Sequence, residues 1–140
     1  MSLPVAWIVD IDGTLALRSS RDPYDWRRAN TDEPNRPVVL AVQALAAHPN
    51  VSAIIAISGR EEKVRDITVD WLTEWGVPYD KLFMRADGDY RADEVIKEEI
   101  YRQQLEHRFS VAAVIEDRDR VVRMWRRIGL VCFQVAEGDF

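Results

Sequence analysis

The chain has 140 residues, a net charge of −5 and a single cysteine, Cys132. That length suffices for one domain that buries roughly two thirds of its unfolded surface without a metal or disulfide staple, and the acidic balance excludes a protein that coats long nucleic acid through many phosphate contacts. Two histidines and one cysteine rule out a zinc cage, and no apolar run approaches the roughly 20 residues of a membrane span.

Residues 5–9 (VAWIV) predict a first strand, which the chain leaves through Asp10-Ile11-Asp12-Gly13-Thr14. The segment 18–37 carries three prolines and nine charges without a period and reads as a long functional loop or flap. Helical spacing follows over 37–47, then a strand over 52–57 that runs into Ser58-Gly59-Arg60. A helix is predicted over 61–75, stopped by Gly76, and a weaker strand over 82–84. Helical spacing returns over 93–107, a strand over 111–115 ends in Glu116-Asp117, and a helix over 118–128 stops at Gly129 before a last strand over 130–135. The alternation predicts an α/β fold: a mainly parallel central sheet with helices on both faces. Trp71, Trp75, Trp125 and Cys132 read as core or interface positions, and Arg123, Arg126 and Arg127 as a solvated face.

Two carboxylates, Asp10 and Asp12, sit where a buried strand ends. An unpaired buried carboxylate costs several kcal/mol or takes up a proton, so a cation, a hydrogen-bonding loop or solvent must compensate the pair. In an open parallel sheet, ligands bind outside the carboxyl ends of the strands. Three sequence-distant strand ends would deliver Asp10, Ser58 and Glu116-Asp117 to one edge. Any cation there would be held by oxygen donors. Asp93 and Lys97, four apart on a predicted helix, are either a surface ion pair or part of this site.

The set Asp10-Ile11-Asp12-Gly13-Thr14, Ser58-Gly59-Arg60, Lys97 and Glu116-Asp117 resembles the haloacid dehalogenase-like (HAD) phosphatase superfamily. Within it the chain is similar to the 3′-phosphatase domain of phage polynucleotide kinase-phosphatase, through DIDGTLA, RDPYDW, Thr31-Asp32, SGRE, GDYRADEVIKEEI, VVRMWRRIG and QVAEGDF. The resemblance implies a three-layer Rossmann-like (HAD) fold, one domain over residues 1–140 without a large cap. It implies a Mg2+-dependent polynucleotide 3′-phosphatase working through an aspartyl-phosphate, with a 2′,3′-cyclic phosphate as a further substrate. Asp10 would be the nucleophile and Asp12 the general acid and base; holding a proton near neutrality requires a raised Asp12 pKa, which the neighbouring carboxylate favours. Lys97 would neutralise phosphate oxygens and hold Asp10 in place, and Ser58 with the backbone after it would donate hydrogen bonds; Thr14, Arg21, Arg60 and Asp93, together with Tyr24 and Trp26 in the flap, would contact phosphate or substrate. Mg2+ would take the Asp10 carboxylate, the Asp12 carbonyl and Asp117, with Glu116 acting through water. The alternatives are a phosphatase of nucleotides or other small phosphoesters, and an inactive module that binds phosphorylated ends.

The resemblance implies a 3′-phosphorylated DNA or RNA end or nucleotide as the binding partner and, since this chain contains no Walker A loop, a separate kinase or ligase alongside it. A homo-oligomer is compatible with the sequence. The N-terminal MSLPVAW lacks a signal peptide's basic and apolar regions, and a lone cysteine suits a reducing compartment, so a cytoplasmic location is expected, the host's for a phage-encoded chain.

Overall fold

Five strands share one sheet, whose central strands are apolar and buried on both faces while its edges are partly exposed. In the computed structural model, which describes residues 2–140, these are β1 (Val5–Val9), β4 (Ala53–Glu61), β5 (Lys81–Arg85), β6 (Ser110–Glu116) and β7 (Cys132–Gln134). They pair entirely in parallel, in the order β5-β4-β1-β6-β7. Two short strands, β2 (Ala16–Leu17) and β3 (Glu33–Pro34), form a separate antiparallel pair.

Side chains alternate across the sheet and feed two cores. One holds Val9, Ile54, Ala56 and Ile115 under α1 (Arg36–Ala47) and α2 (Arg65–Glu74), with Val42, Trp71 and Leu72 facing them. The other holds Ile8, Ile55, Ile57 and Val114 under α3 (Asp93–Ile100) and α4 (Asp119–Arg127), closed by Tyr101, Leu105 and Trp125. The expected three-layer α/β arrangement is therefore observed, and between β4 and α3 lie only α2, β5 and short connections, with no cap. Among the described residues no helix is long and apolar enough to cross a membrane. Trp71, Trp125 and Cys132 are buried, while Trp75 packs half-buried against the first core. On the outer face of α4, Arg123, Arg126 and Arg127 are exposed; Arg127 pairs with Glu98.

Several boundaries differ from the sequence reading for identifiable reasons. The strand expected to stop at 57 runs to Glu61, because the β4–β5 ladder skips from Ser58–Met84 to Glu61–Arg85 and leaves Gly59 and Arg60 as a bulge. Arg85 Nε donates to the Gly59 carbonyl at 2.8 Å, which holds this backbone to the sheet, so α2 starts only after a 3₁₀ turn over Glu62–Val64. The helix expected over 93–107 becomes α3 and then one π-helical turn, Tyr101–Leu105. The last strand starts at Cys132 because the Leu130 amide donates back to the Trp125 carbonyl (3.0 Å), closing α4 behind Gly129. The segment 18–37 is ordered from within: the β2–β3 pair ties its two ends, a 3₁₀ turn spans Trp26–Thr31, and α1 takes over at Arg36.

The chain winds from β1 through β4 to β5 and then returns to the other side of β1 as β6. This reversal places the carboxyl ends of β1 and β6 side by side at the switch point where open α/β sheets bind ligands.

Candidate active site

Asp10 directly follows β1, and its amide still donates to the Ile115 carbonyl of β6 at 3.0 Å. The next residues turn back tightly: the amides of Thr14, Leu15 and Ala16 all donate to the Ile11 carbonyl, at 3.2, 2.9 and 2.9 Å. Gly13 makes the turn with φ +82°, and a Cβ there would sit 2.1 Å from Asp117 Oδ2. Glycine is thus required for its conformation and for the approach of β6.

The buried Asp10 carboxylate is held on both oxygens. Lys97 Nζ donates to Oδ1 at 2.8 Å and Thr14 Oγ1 to Oδ2 at 2.9 Å. Thr14 Oγ1 also lies 3.2 Å from Asp117 Oδ1. The Thr14 hydroxyl, expected on phosphate or substrate, is therefore engaged with Asp10 and Asp117. Lys97 is 1% exposed and donates as well to Glu116 Oε2 at 2.9 Å, with Asp93 Oδ2 at 3.5 Å. The Asp93–Lys97 pair thus belongs to the site and is no surface pair. Glu116 Oε1 accepts the amide of Asp117 at 3.1 Å. Its two oxygens are thereby spent on orienting Lys97 and the Asp117 loop.

Asp10, Glu116 and Asp117 offer carboxylate oxygens that all lie within 4.8 Å of one another. One lysine does not neutralise three acids. Burial, then Glu116, pushes the Asp10 pKa up to about 8 against the opposing pull of Lys97. Burial, then Asp10, pushes Asp117 up to about 7, and burial also raises Glu116. Burial opposes the charge on Lys97, yet Asp10, Asp93 and Glu116 together hold its pKa well above the usual range. Crowded oxygen donors with surplus negative charge fit a hard divalent cation such as Mg2+.

Asp12 lies apart from this cluster, its side chain 39% exposed. Arg60 grips it with two parallel bonds, Nε to Oδ2 at 2.9 Å and Nη2 to Oδ1 at 2.7 Å, and Arg21 Nη2 approaches Oδ1 at 3.4 Å. Burial works against its charge, but Arg60 and then Arg21 outweigh burial and hold the Asp12 pKa below the usual carboxylate value. The raised pKa expected for Asp12 is thereby corrected. The neighbour deciding its state is a bidentate guanidinium from 48 residues away, not the adjacent carboxylate. Of Asp10 and Asp12, only Asp10 is within hydrogen-bond reach of Lys97.

The arginines are themselves anchored by a residue that sequence reasoning left out of the site. Asp32 is fully buried and receives Arg21 Nε and Nη2 at 2.8 and 2.9 Å, with Arg60 Nη2 at 3.5 Å. Thr68 Oγ1 accepts Arg60 Nη1 at 3.0 Å. Arg21 and Arg60, expected on phosphate or substrate, thus have their guanidinium groups on Asp12 and Asp32. The only sequence signal for Asp32 is the Thr31-Asp32 pair within the resemblance.

Ser58 is buried and its Oγ accepts the Arg60 amide at 3.1 Å, capping the bulge. The bulge needs Gly59, since a Cβ there would meet Asp93 Oδ1 at 2.4 Å. Asp93 also faces Arg85 and Arg118, at 3.6 and 3.8 Å. Of the two flap aromatics, Tyr24 is 74% exposed and meets Trp26 edge-on, whereas Trp26 packs half-buried against the first core.

With this geometry in place, the comparisons with known proteins agree. Residues 4–140 match the polynucleotide kinase PNKP phosphatase domain. A putative bifunctional polynucleotide kinase/RNA ligase of Autographa californica nuclear polyhedrosis virus is 34% identical over 125 residues, 88% of this chain and 18% of the viral protein. Chains in the structures of the Pnkp1/Rnl/Hen1 complex and the Pnkp1/Rnl/Hen1 RNA repair complex superpose with TM-scores of 0.94, at 41% and 40% identity over 99% of this chain. This chain spans about half the length of those structures, 48% and 44%, and less of the viral relative. The chain belongs to the polynucleotide kinase phosphatase-domain family of the HAD superfamily, and is a phosphatase.

Proposed function

We propose that this phosphatase removes the terminal 3′-phosphate from a nucleic acid, RNA in the first instance, through an aspartyl-phosphate on Asp10. The observation that carries the reading is the Asp10–Glu116–Asp117 cluster with Lys97 at the open switch point, in a chain of this family. RNA is put first because both similar structures are complexes with an Rnl component, one of them described as an RNA repair complex. A polynucleotide kinase and an RNA ligase are the partners that the relatives suggest.

Phosphate monoesters are slow to hydrolyse, so a site must supply a nucleophile, charge neutralisation and a proton for the leaving oxygen. An ionised Asp10 oxygen attacks phosphorus while the bond to the 3′ oxygen breaks. Water then gives a proton to Asp12, attacks the aspartyl-phosphate, and releases inorganic phosphate with Asp10 restored. Lys97 and the backbone around Ser58 offset charge on the phosphate oxygens. The Asp10 and Asp117 carboxylates and the Asp12 carbonyl, with Glu116 behind them, would hold Mg2+, which when bound would supply positive charge against the acid cluster and Lewis-acid polarisation of the phosphoryl group. Asp12 is ionised as found, which suits the second step. To protonate the leaving oxygen in the first it must take up a proton from solvent beforehand, and a phosphate dianion that competes for Arg60 and Arg21 loosens the grip that prevents this.

The test is phosphate release from matched 3′- and 5′-phosphorylated RNA oligonucleotides with Mg2+ and with a chelator. Strong preference for the 3′ end is expected, with none released under chelation. Preference for the 5′ end overturns the assignment, and equal efficiency on a mononucleotide 3′-phosphate transfers it to small phosphoesters.

The acid cluster also sets a pH dependence. Raised pKa values of about 8 for Asp10 and about 7 for Asp117 favour the folded state while these groups are protonated. That contribution is complete below the unfolded carboxyl pKa and is lost as pH rises through the folded values. Chelated protein should therefore melt lower at about pH 9 than at about pH 6, and the increase in Tm produced by Mg2+ should be larger at the higher pH. A Mg2+ increment independent of pH in thermal melts would count against a proton-competing carboxylate site.

A further inference from the structure

The last residues of the chain lie across the backbone that carries Asp117. After β7, the Val135 amide donates to the Glu116 carbonyl at 3.0 Å, and the Gln134 side chain turns back to donate from Nε2 to the Asp117 carbonyl (3.0 Å) and to Asp119 Oδ1 (2.6 Å). The chain then brings the buried Gly138 against the start of α4. Its carbonyl accepts the Asp119 amide at 2.9 Å, one of the donors that a helix start leaves without an internal partner. Beyond it, the Arg118 guanidinium stacks over the Phe140 ring at 4.7 Å, and Arg120 Nε donates to the Phe140 carbonyl at 3.2 Å.

Gly138 has no room for a side chain. A Cβ there would sit 2.0 Å from the Asp117 carbonyl oxygen and 2.7 Å from Arg118 Cα, both backbone, so no side-chain rotation relieves the clash. Its φ lies outside the left-handed region, so alanine is excluded by this contact and not by conformation. Gly13 also lies against Asp117: its missing Cβ would sit 2.1 Å from Asp117 Oδ2, a side-chain contact, at a φ of +82° that itself calls for glycine. Asp117 is thus clamped between two glycines: one in the turn that carries Asp10 and Asp12, the other in the closing strap.

We propose that the segment 135–140 is a positioning strap for the cation site, and that Gly138 is the residue through which it sets the distance of Asp117 from Asp10. This rests on the reading of Asp117 as a Mg2+ ligand. Supports behind metal ligands characteristically act on metal affinity. The strap should therefore govern Mg2+ binding more than the chemical step at saturating Mg2+.

Calorimetric titration of the whole chain with Mg2+ reads this without turnover. Gly138→Ala is expected to weaken Mg2+ binding about ten- to a hundredfold. The Mg2+ concentration for half-maximal phosphate release should rise in parallel, with kcat at saturating Mg2+ within about threefold of the parent. Gly129→Ala, at the other end of α4, is the control: it strains the backbone at φ +94° but its Cβ meets nothing within 4 Å. It should lower Tm and leave Mg2+ affinity unchanged. Gln134→Met, which removes two bonds to the same loop, predicts the same direction as Gly138→Ala and serves should that variant not fold. Parental Mg2+ affinity with only a lowered Tm in these variants would make the strap a purely structural element and overturn the proposal. A parent chain that takes up no Mg2+ overturns the metal reading and the strap with it. Mg2+ uptake without phosphate release from any 3′ end overturns the substrate reading alone, and the affinity comparison still decides on the strap.

Discussion

Asp10→Asn is expected to reduce phosphate release by at least about four orders of magnitude, the scale on which loss of a nucleophile acts when nothing replaces it. The neutral amide is isosteric: its oxygen can still accept from Lys97, which donates to Asp10 Oδ1 at 2.8 Å, while its NH2 replaces the oxygen that accepts from Thr14 at 2.9 Å and can donate to that hydroxyl instead. The fold should persist, and Tm without Mg2+ should rise, since one of three crowded acids is removed. Asp12→Asn provides the contrast. It leaves the nucleophile in place but removes the proton carrier, and it weakens the charged grip of Arg60 and Arg21. A lesser loss of rate is expected, about two to four orders, because general acid–base catalysis contributes on that scale. Both are measured as single-turnover phosphate release on a 3′-phosphorylated oligonucleotide. Substantial activity in Asp10→Asn would refute the covalent route, and full activity in Asp12→Asn would remove Asp12 from proton transfer.

Lys97→Met should carry the largest stability cost of any single change at the site. Lys97 is buried on the second face of the sheet, and its ammonium meets Asp10 and Glu116 at hydrogen-bond distance, with Asp93 at 3.5 Å. Methionine fills similar space but carries no charge, so Asp10 and Glu116 lose the only cation that pairs with them among the described residues. Breaking a buried ion pair by removing one member costs about 3–5 kcal/mol. The sign with pH follows: without Lys97 the pKa values of Asp10 and Glu116 rise further, and protonation relieves the repulsion. The destabilisation should therefore be full at about pH 8 and shrink towards about pH 5, and Mg2+ should partly restore it. Denaturant titrations of chelated protein across that range measure it. A small, pH-independent effect would mean that Lys97 packs without compensating the acids.

How much of this was legible in the sequence differs between the two halves of the site. The acid cluster was readable because it depends on where strands end. Asp10 follows β1 and Glu116-Asp117 close β6, so any parallel sheet that places these strands side by side brings the acids together. Lys97 followed from its helix and the motif order. The arginine network was not readable. Arg21, Asp32, Thr68 and Arg60 come from an irregular loop, its 3₁₀ exit, a helix and a bulge, and no periodicity links them. The charged state of Asp12 was accordingly misjudged from its sequence neighbour, when the three-dimensional neighbour has the opposite sign.

The strand–helix alternation, the order of the motifs and the family are properties of the sequence by itself, because apolar periodicity and local turn chemistry act over a few residues. The crossing of the strap over Asp117, the bulge that seats Gly59 against Asp93 and the sharing of Arg60 between Asp12 and Asp32 were decided only by the tertiary structure. Each depends on backbone approaches and bidentate geometry between residues far apart in the chain. Such contacts set which of two neighbouring aspartates carries a proton, and residue types alone do not contain them.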